Sequence, residues 1–309
     1  MSKKSMSSKK FHSFVQRYFY SPNLGDKFLA YFLSPLSLIY AFIVTLKKLF
    51  AKPKDLGISV ISVGNLVVGG SGKTPLTKAL YQHFSQNKKV FIVLRGYKRE
   101  SKGMIKVALN GEILVDTKTS GDEAMEYALM GANVIVSEDR VIAINEAKSL
   151  GAELIILDDG FSKFSIKKFD IVLKPEIKPH FNFTLPSGAY RYPLFFYKFA
   201  NFIPSPSDIT KTSFIKNETK RMVLVTAIAN PARLKEHFKK CVATEFFPDH
   251  YSFTKDELEE IIKKHNATSL LITMKDYVKI KDFGLSLSII EQTTTLSPKF
   301  IDKISKYIK

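Results

Sequence analysis

A glycine-rich run, Val67-Val68-Gly69-Gly70-Ser71-Gly72-Lys73-Thr74, lies between an apolar stretch, Ile58 to Val63, and a helix-compatible segment, Leu76 to Phe84. Strand, glycine loop and helix in that order form a phosphate-binding P-loop. Glycines let the backbone curl so that several N–H groups converge on phosphate oxygens, at a helix N-terminus whose dipole favours anions. Gly69, Gly70, Ser71 and Gly72 would cradle phosphates, Lys73 would reach the β- and γ-phosphates of a nucleotide, and the Thr74 hydroxyl would sit on Mg²⁺. One position departs from G-x-x-x-x-G-K-[ST]: the first glycine would fall at 67, where this chain has Val67. Gly64, Gly69 and Gly70 supply flexibility nearby. A glycine-rich strand-to-helix turn with a chance Lys-Thr is the alternative, and the matching strand context favours the phosphate loop.

Two acidic pairs follow. Asp158-Asp159 ends the apolar run Leu154 to Leu157, the layout of a Walker-B acid that holds Mg²⁺ beside a P-loop. A turn acid capping the next element has the same local appearance, and the upstream P-loop favours the metal. Asp122-Glu123 opens a helix. Asp caps helices well, and a carboxylate there can also take the proton from an attacking hydroxyl; the residues alone leave both open. His250 lies in the loop Phe247-Pro248-Asp249-His250-Tyr251. An isolated loop histidine is usually a surface residue, though a histidine beside an acid is also how a base is oriented.

The elements that must position these groups alternate. Lys89 to Leu94 reads as a buried strand, followed by Arg95-Gly96-Tyr97-Lys98-Arg99. Asn110-Gly111 between Met104–Leu109 and Glu112–Val115 is a two-residue hairpin signal. A helix from Ser120 to about Met130, a strand at Asn133–Val136, a helix at Asp139–Leu150 and strands at Glu153–Leu157 and Phe169–Leu173 complete the pattern. Strands alternating with helices imply a parallel sheet covered on both faces, with ligands at the carboxyl ends of the strands. Lys73, Arg95 and Asp158 all fall at or just past such ends. Residues 174 to 220, with six prolines, read as loops and a linker. A second, smaller α/β unit follows: a strand at Arg221–Thr226, helices at Pro231–Lys240 and Thr254–His265, and strands at Ser269–Thr273 and Leu285–Ile290. The divisions are 1–54, a basic arm and membrane-associated helix; 55–215, a P-loop core; and 216–309, the smaller α/β domain.

Composition is that of a globular protein: 309 residues, 45% hydrophobic and 25% charged. Cys241 is the only cysteine, so no intrachain disulfide exists. Lys and Arg number 47 against 29 acids, giving +18, a charge that attracts nucleotides, nucleic acids or anionic membranes. No helix-turn-helix, zinc finger or RNP signature accompanies it, which argues against nucleic acid. Residues 28–45 carry no charge and are flanked by Lys27, Lys47, Lys48, Lys52 and Lys54. That suits a helix dipping into an anionic leaflet; a helix buried against the core has the same length. Residues 1–10, rich in Ser and Lys, read as a disordered arm.

Taken together, these blocks resemble the tetraacyldisaccharide 4′-kinase family, the lipid A 4′-kinases of Gram-negative bacteria. The matching segments occur in order: Ser62 to Pro75, Leu94-Arg95-Gly96-Tyr97, Gly121-Asp122-Glu123, Ser137-Glu138-Asp139-Arg140, Leu157 to Phe161, Leu185-Pro186-Ser187-Gly188, Phe247 to Tyr251, and Lys275-Asp276. The family usually continues Asp-Asp-Gly-Phe with Gln-His-Arg, where this chain has Ser162-Lys163-Phe164. It usually has Leu-Arg-Glu where this chain has Tyr190-Arg191-Tyr192. The resemblance implies two linked α/β units with an N-terminal helix on the cytoplasmic face of the inner membrane. It implies transfer of the ATP γ-phosphoryl to the 4′-hydroxyl of an acylated glucosamine disaccharide 1-phosphate, giving lipid IV-A. It further implies Asp122 as the base paired with His250, Asp158 and Asp159 placing Mg²⁺ and the reacting groups, and Lys73 and Thr74 holding phosphates and metal. A GTPase switch would need Asn-Lys-x-Asp, and Lys275-Asp276 lacks the Asn. A non-catalytic membrane binder would need no Asp158-Asp159 pair beside the loop.

Overall fold

The computed structural model describes residues 13–69, 72–228, 231–249 and 251–308; the 1–10 arm, Gly70, Ser71 and His250 lie outside them. Helices at 13–20 (α1), Leu24–Phe32 (α2) and Ser34–Leu49 (α3) come before the first strand. A capping box starts α2: Asn23 Oδ1 accepts from the Asp26 N–H at 2.8 Å, and Asp26 Oδ2 accepts from the Asn23 N–H at 3.2 Å. The uncharged run 28–45 is two helices, not one. Pro35, in the first turn of α3, lacks the N–H needed to continue α2, and the axes bend by 52°. Nor is the run buried. Phe28 is 76% exposed and Phe42 63%. Ser37 is the anchor: its hydroxyl donates to the Thr184 carbonyl, the Thr184 hydroxyl donates back to the Ser37 carbonyl (both 2.8 Å), and the Ser187 N–H donates to Ser37 Oγ at 3.0 Å.

The first sheet contains β1 (Ser59–Asn65), β2 (Val90–Leu94), β3 (Ile105–Leu109), β4 (Glu112–Ile113), β5 (Asn133–Val136), β6 (Leu154–Asp158) and β7 (Phe169–Leu173), ordered β4-β3-β5-β2-β6-β1-β7. β5, β2, β6, β1 and β7 run parallel, and the β3–β4 hairpin adds antiparallel strands at one edge. The parallel strands are apolar throughout because both faces are covered. One face packs on α4 (Lys73–Phe84) and α6 (Asp122–Ala128), the latter preceded by the single-turn α5 (Thr117–Ser120). The other packs on α7 (Arg140–Ser149). β1 lies directly beside β6, with Val63 opposite Asp158, so the glycine loop and the acidic pair emerge side by side.

The stretch read as linker contains a strand of the second sheet, β8 (Ile209–Lys216). Thr210, Lys211 and Thr212 are consecutive and exposed and no residue of the strand is fully buried, which suits an edge strand. With β9 (Met222–Thr226), β10 (Cys241–Phe246), β11 (Ser269–Thr273) and β12 (Leu287–Leu296) it makes a sheet ordered β10-β9-β11-β12-β8, antiparallel only at β8. The helix expected over Pro231–Lys240 is a 3₁₀ turn, Pro231–Leu234, followed by one helical turn, α8 (Lys235–Phe238). α9 (Lys255–His265) is capped by Thr254 as expected, while α10 (Met274–Ile280) has no counterpart in the sequence reading. α11 (Pro298–Ser305) returns to the first sheet, burying Phe300 and Ile304 in its core.

Candidate active site

Gly72 caps α4 with a left-handed backbone, φ +76°, which glycine adopts without strain. Lys73 follows as the first helical residue. Its Nζ donates to Asn65 Oδ1 at 3.4 Å and lies 3.7 Å from Asp159 Oδ1. Thr74 is in the first turn of α4. The missing first glycine has a structural explanation. Val67 is buried in an aromatic cluster and its backbone bridges Tyr190, so the chain there is extended and needs no glycine.

Asp158 is the last residue of β6 and only 3% exposed. The Tyr127 hydroxyl donates to its Oδ2 at 2.8 Å, while Oδ1 has no hydrogen-bond partner among the described residues. Burial pushes the Asp158 carboxyl up, with Lys73 and Tyr127 opposing. Asp159 adopts φ +51°, an uncommon conformation for a residue with a side chain, and this turns its carboxylate toward Lys73. Arg191 grips that carboxylate with two bonds, 3.0 Å from Nη1 and 2.9 Å from Nη2, and also donates to Asn65 Oδ1. Burial alone would push the Asp159 carboxyl up, but Lys73 and Arg191 outweigh it and hold it well below the usual carboxylate range.

Asp122 is the first residue of α6. The cap is Gly121, and no side chain caps this helix, so capping does not account for Asp122. Its Oδ2 lies 3.4 Å from Lys279 Nζ on α10, and Lys279 also donates to the Tyr251 carbonyl at 3.2 Å. Lys275 Nζ pairs with Asp249 at 2.8 Å. The two residues flanking His250 are thus tied to α10, the helix that meets Asp122. Glu123, next to Asp122, is pushed up to about 7 by burial and by the Asp158 charge, with Lys275 and Lys73 opposing.

Of the residues singled out from the sequence, Lys73 and Asp159 come together, with Asp158 adjoining. Asp122 sits one residue from Glu123, which feels both Lys73 and Asp158. Arg191, Tyr127 and Lys279 have no site role in the sequence pattern, and Glu123 enters it only as the second member of the Asp122-Glu123 pair. Arg191 alone left a sign, as the arginine kept inside a divergent Leu-Arg-Glu block. Asp276 proves to be an anchor rather than a base reader: it is fully buried and accepts from the Thr226 hydroxyl at 2.7 Å and the Ala227 N–H at 3.1 Å. Arg140 is buried too, donating to the Ser137 carbonyl, and burial pushes it down to about 10.

The two places where the sequence departs from the family pattern touch each other. The rings of Phe164 and Tyr192 lie 6.0 Å apart, both buried with Phe161 and Phe196. In the resemblance described above these two positions fall on the Arg of Gln-His-Arg and the Glu of Leu-Arg-Glu; here they form an aromatic pair.

Among the described residues no three His, Cys, Asp or Glu side chains converge as a metal cage. A magnesium ion needs none: it keeps several waters and shares one or two carboxylates with substrate phosphates. The unpartnered Oδ1 of Asp158, beside the ionised Asp159 and the first turn of α4, fits such an ion.

The family profile described as tetraacyldisaccharide-1-P 4′-kinase matches residues 29–212 and 198–309. The tetraacyldisaccharide 4′-kinase of Campylobacter jejuni serotype O:2 is 53% identical over 304 residues, covering 97% of each chain. That of Helicobacter pylori strain 26695 is 44% identical over 299 residues, covering 96% of this chain and 95% of its own. The crystal structure of LpxK from Aquifex aeolicus in complex with ATP superposes with a TM-score of 0.75 at 26% identity, covering 91% of this chain and 100% of that one. On sequence over nearly its whole length, the chain belongs to the tetraacyldisaccharide-1-phosphate 4′-kinase family.

Proposed function

We propose that the cluster of Lys73, Thr74, Asp122, Asp158, Asp159 and Arg191 transfers the γ-phosphoryl group of ATP to the 4′-hydroxyl of a tetraacylated glucosamine disaccharide 1-phosphate, giving lipid IV-A for lipid A biosynthesis. The observation that carries this reading is the convergence of Lys73 and Arg191 on Asp159, beside the end of the glycine loop and the unpartnered Oδ1 of Asp158. Phosphoryl transfer needs positioning and charge neutralisation more than covalent chemistry by the protein. The loop amides and Lys73 hold the phosphates, and Arg191 adds positive charge beside them. Asp122 accepts the proton of the 4′-hydroxyl, oriented by His250. The 4′-oxygen bonds to the γ-phosphorus as the bond from that phosphorus to the β–γ bridging oxygen breaks, and ADP leaves. Thr74, Asp158 and Asp159 would hold Mg²⁺, which neutralises charge on the phosphates when bound.

The N-terminal helices supply the approach to a lipid acceptor. Leu24, Phe28, Phe32, Leu38, Phe42 and Phe50 are all more than half exposed, and Lys47 and Lys48 close α3 beside them. No single helix among the described residues is long and apolar enough to cross a membrane. The bent pair lies in the interface of an anionic leaflet, apolar side chains inserted and lysines at the headgroups, on the cytoplasmic face of the inner membrane. Mass spectrometry of the disaccharide after incubation with protein and ATP tests the reaction: a gain of one phosphate at the 4′ position supports it, and an unchanged mass overturns it.

A further inference from the structure

Lys211 on β8 stands against the glycine loop: its Nζ is 2.9 Å from the point where a β-carbon on Gly72 would lie. This ammonium belongs to the five-stranded sheet, whereas Gly72 caps a helix packed on the seven-stranded one. The β8–β12 ribbon brings it there. Lys211 pairs with Thr294 across the ladder, and β12 packs along α4, the helix that Gly72 caps. Glu176, three residues past the end of β7, binds Lys211 at 2.6 Å and Arg233 Nη2 at 3.1 Å. One carboxylate thus faces two cations beside a loop built for phosphate. The pair is partly open to water, so solvent screening makes it easy to exchange. Lysine is a compact charge on a flexible stem, and a triphosphate offers it more negative charge than one carboxylate does.

We propose that Lys211 is a nucleotide-phosphate ligand supplied from the second sheet, held by Glu176 until a nucleoside triphosphate fills the loop and then moving onto its β- or γ-phosphate. The proposal rests on the phosphate-loop reading above. It is tested by titrating the full chain in detergent micelles with ATP and with AMP, in the presence of Mg²⁺. Lys211→Ala is expected to weaken ATP by about tenfold or more, the worth of one charge-assisted contact, and to leave AMP binding unchanged. Glu176→Gln is expected to tighten ATP, because it frees the ammonium and removes a carboxylate that repels phosphate. Lys211→Gln, which keeps most of the stem, replaces the alanine variant if that one fails to fold. ATP affinity within about twofold of the parent in the Lys211 variant overturns the proposal. So does a loss of ATP and AMP binding together in both the Lys211 and Glu176 variants, which would make the pair a strut between sheets. Lys73→Ala is the control: if it binds ATP as the parent does, the phosphate-loop reading itself fails, whatever Lys211 does.

Discussion

The Tyr127 hydroxyl donates to Asp158 Oδ2 and leaves the other oxygen of that carboxylate without a partner among the described residues. Tyr127 lies on α6, one turn beyond Glu123, so the helix that begins with Asp122 also fixes which way Asp158 faces. A buried ligand oriented by a hydrogen bond is the usual support for a metal-binding carboxylate, and its loss typically costs about 10–100-fold in affinity or activity. Tyr127→Phe removes the hydroxyl and keeps the ring in the core. Turnover should fall by about tenfold, and magnesium dependence should shift to higher concentration. The hydrogen bond favours the ionised form of Asp158, so its loss raises that group further. The acid limb of the rate profile should move to higher pH; an unmoved limb would separate Tyr127 from the metal acid.

Glu123 gives a stability signature. Its carboxyl rises from the ordinary 4.5 to about 7 on folding, so between those values the folded chain binds more protons than the unfolded one. Stability from this group therefore falls as pH rises through that window. Glu123→Gln does not titrate. Thermal unfolding of the parent, measured against the Gln variant, should lose ground steadily from pH 4.5 to about 7 and then level off. Parallel curves across the window would show that Glu123 is an ordinary exposed carboxylate.

How much of this was legible follows from how locally each feature is encoded. β1, the glycine loop, Asp158 and the hairpin at Asn110-Gly111 can be read because a few consecutive residues specify each. β8 and β10 escape such a reading because edge strands with polar faces resemble loops. Arg191 meets Asp159 across 32 residues of sequence, and Lys279 meets Asp122 only because α10 packs on α6. No local pattern announces such pairs. Asp159 needed its backbone conformation, not its identity, to be seen as the partner of Lys73.

Asp122 is set apart from its neighbours by what its loss should do. Asp122→Asn keeps the shape and removes the proton acceptor. Turnover should drop by at least about 10²-fold with the KM for ATP unchanged. A rise in that KM with turnover intact would make Asp122 a nucleotide or metal neighbour instead.

The proposed membrane docking can be tested apart from chemistry because Phe28, Phe32 and Phe42 are exposed and bury little in the core. Replacing Phe28, Phe32 and Phe42 together with Ser should release the protein from anionic vesicles in a sedimentation assay. Activity on detergent-dispersed acceptor should persist, since Ser37 still pins α3 to the 184–187 loop. A triple variant that still sediments with vesicles would move the docking surface elsewhere.

The Phe164–Tyr192 contact makes the departure from the family pattern a matter of two positions acting as one. Restoring arginine alone, Phe164→Arg, buries a guanidinium among Phe161, Tyr192 and Phe196, and sets it near Lys48, whose ammonium lies 4.9 Å from the Phe164 ring. An unpaired buried charge costs about 3–5 kcal/mol, enough to unfold a marginal protein. Tyr192→Glu alone buries the opposite charge at similar cost, next to Arg191, and should draw that arginine away from Asp159. The double variant supplies each charge with its partner. It should recover at least about 1 kcal/mol relative to the sum of the single changes in denaturant unfolding, because contacting residues couple where distant ones add. It should also recover more turnover than Tyr192→Glu alone, because the introduced carboxylate, once paired, no longer competes for the arginine that grips Asp159. Strict additivity of the two changes would mean that the two introduced charges do not meet.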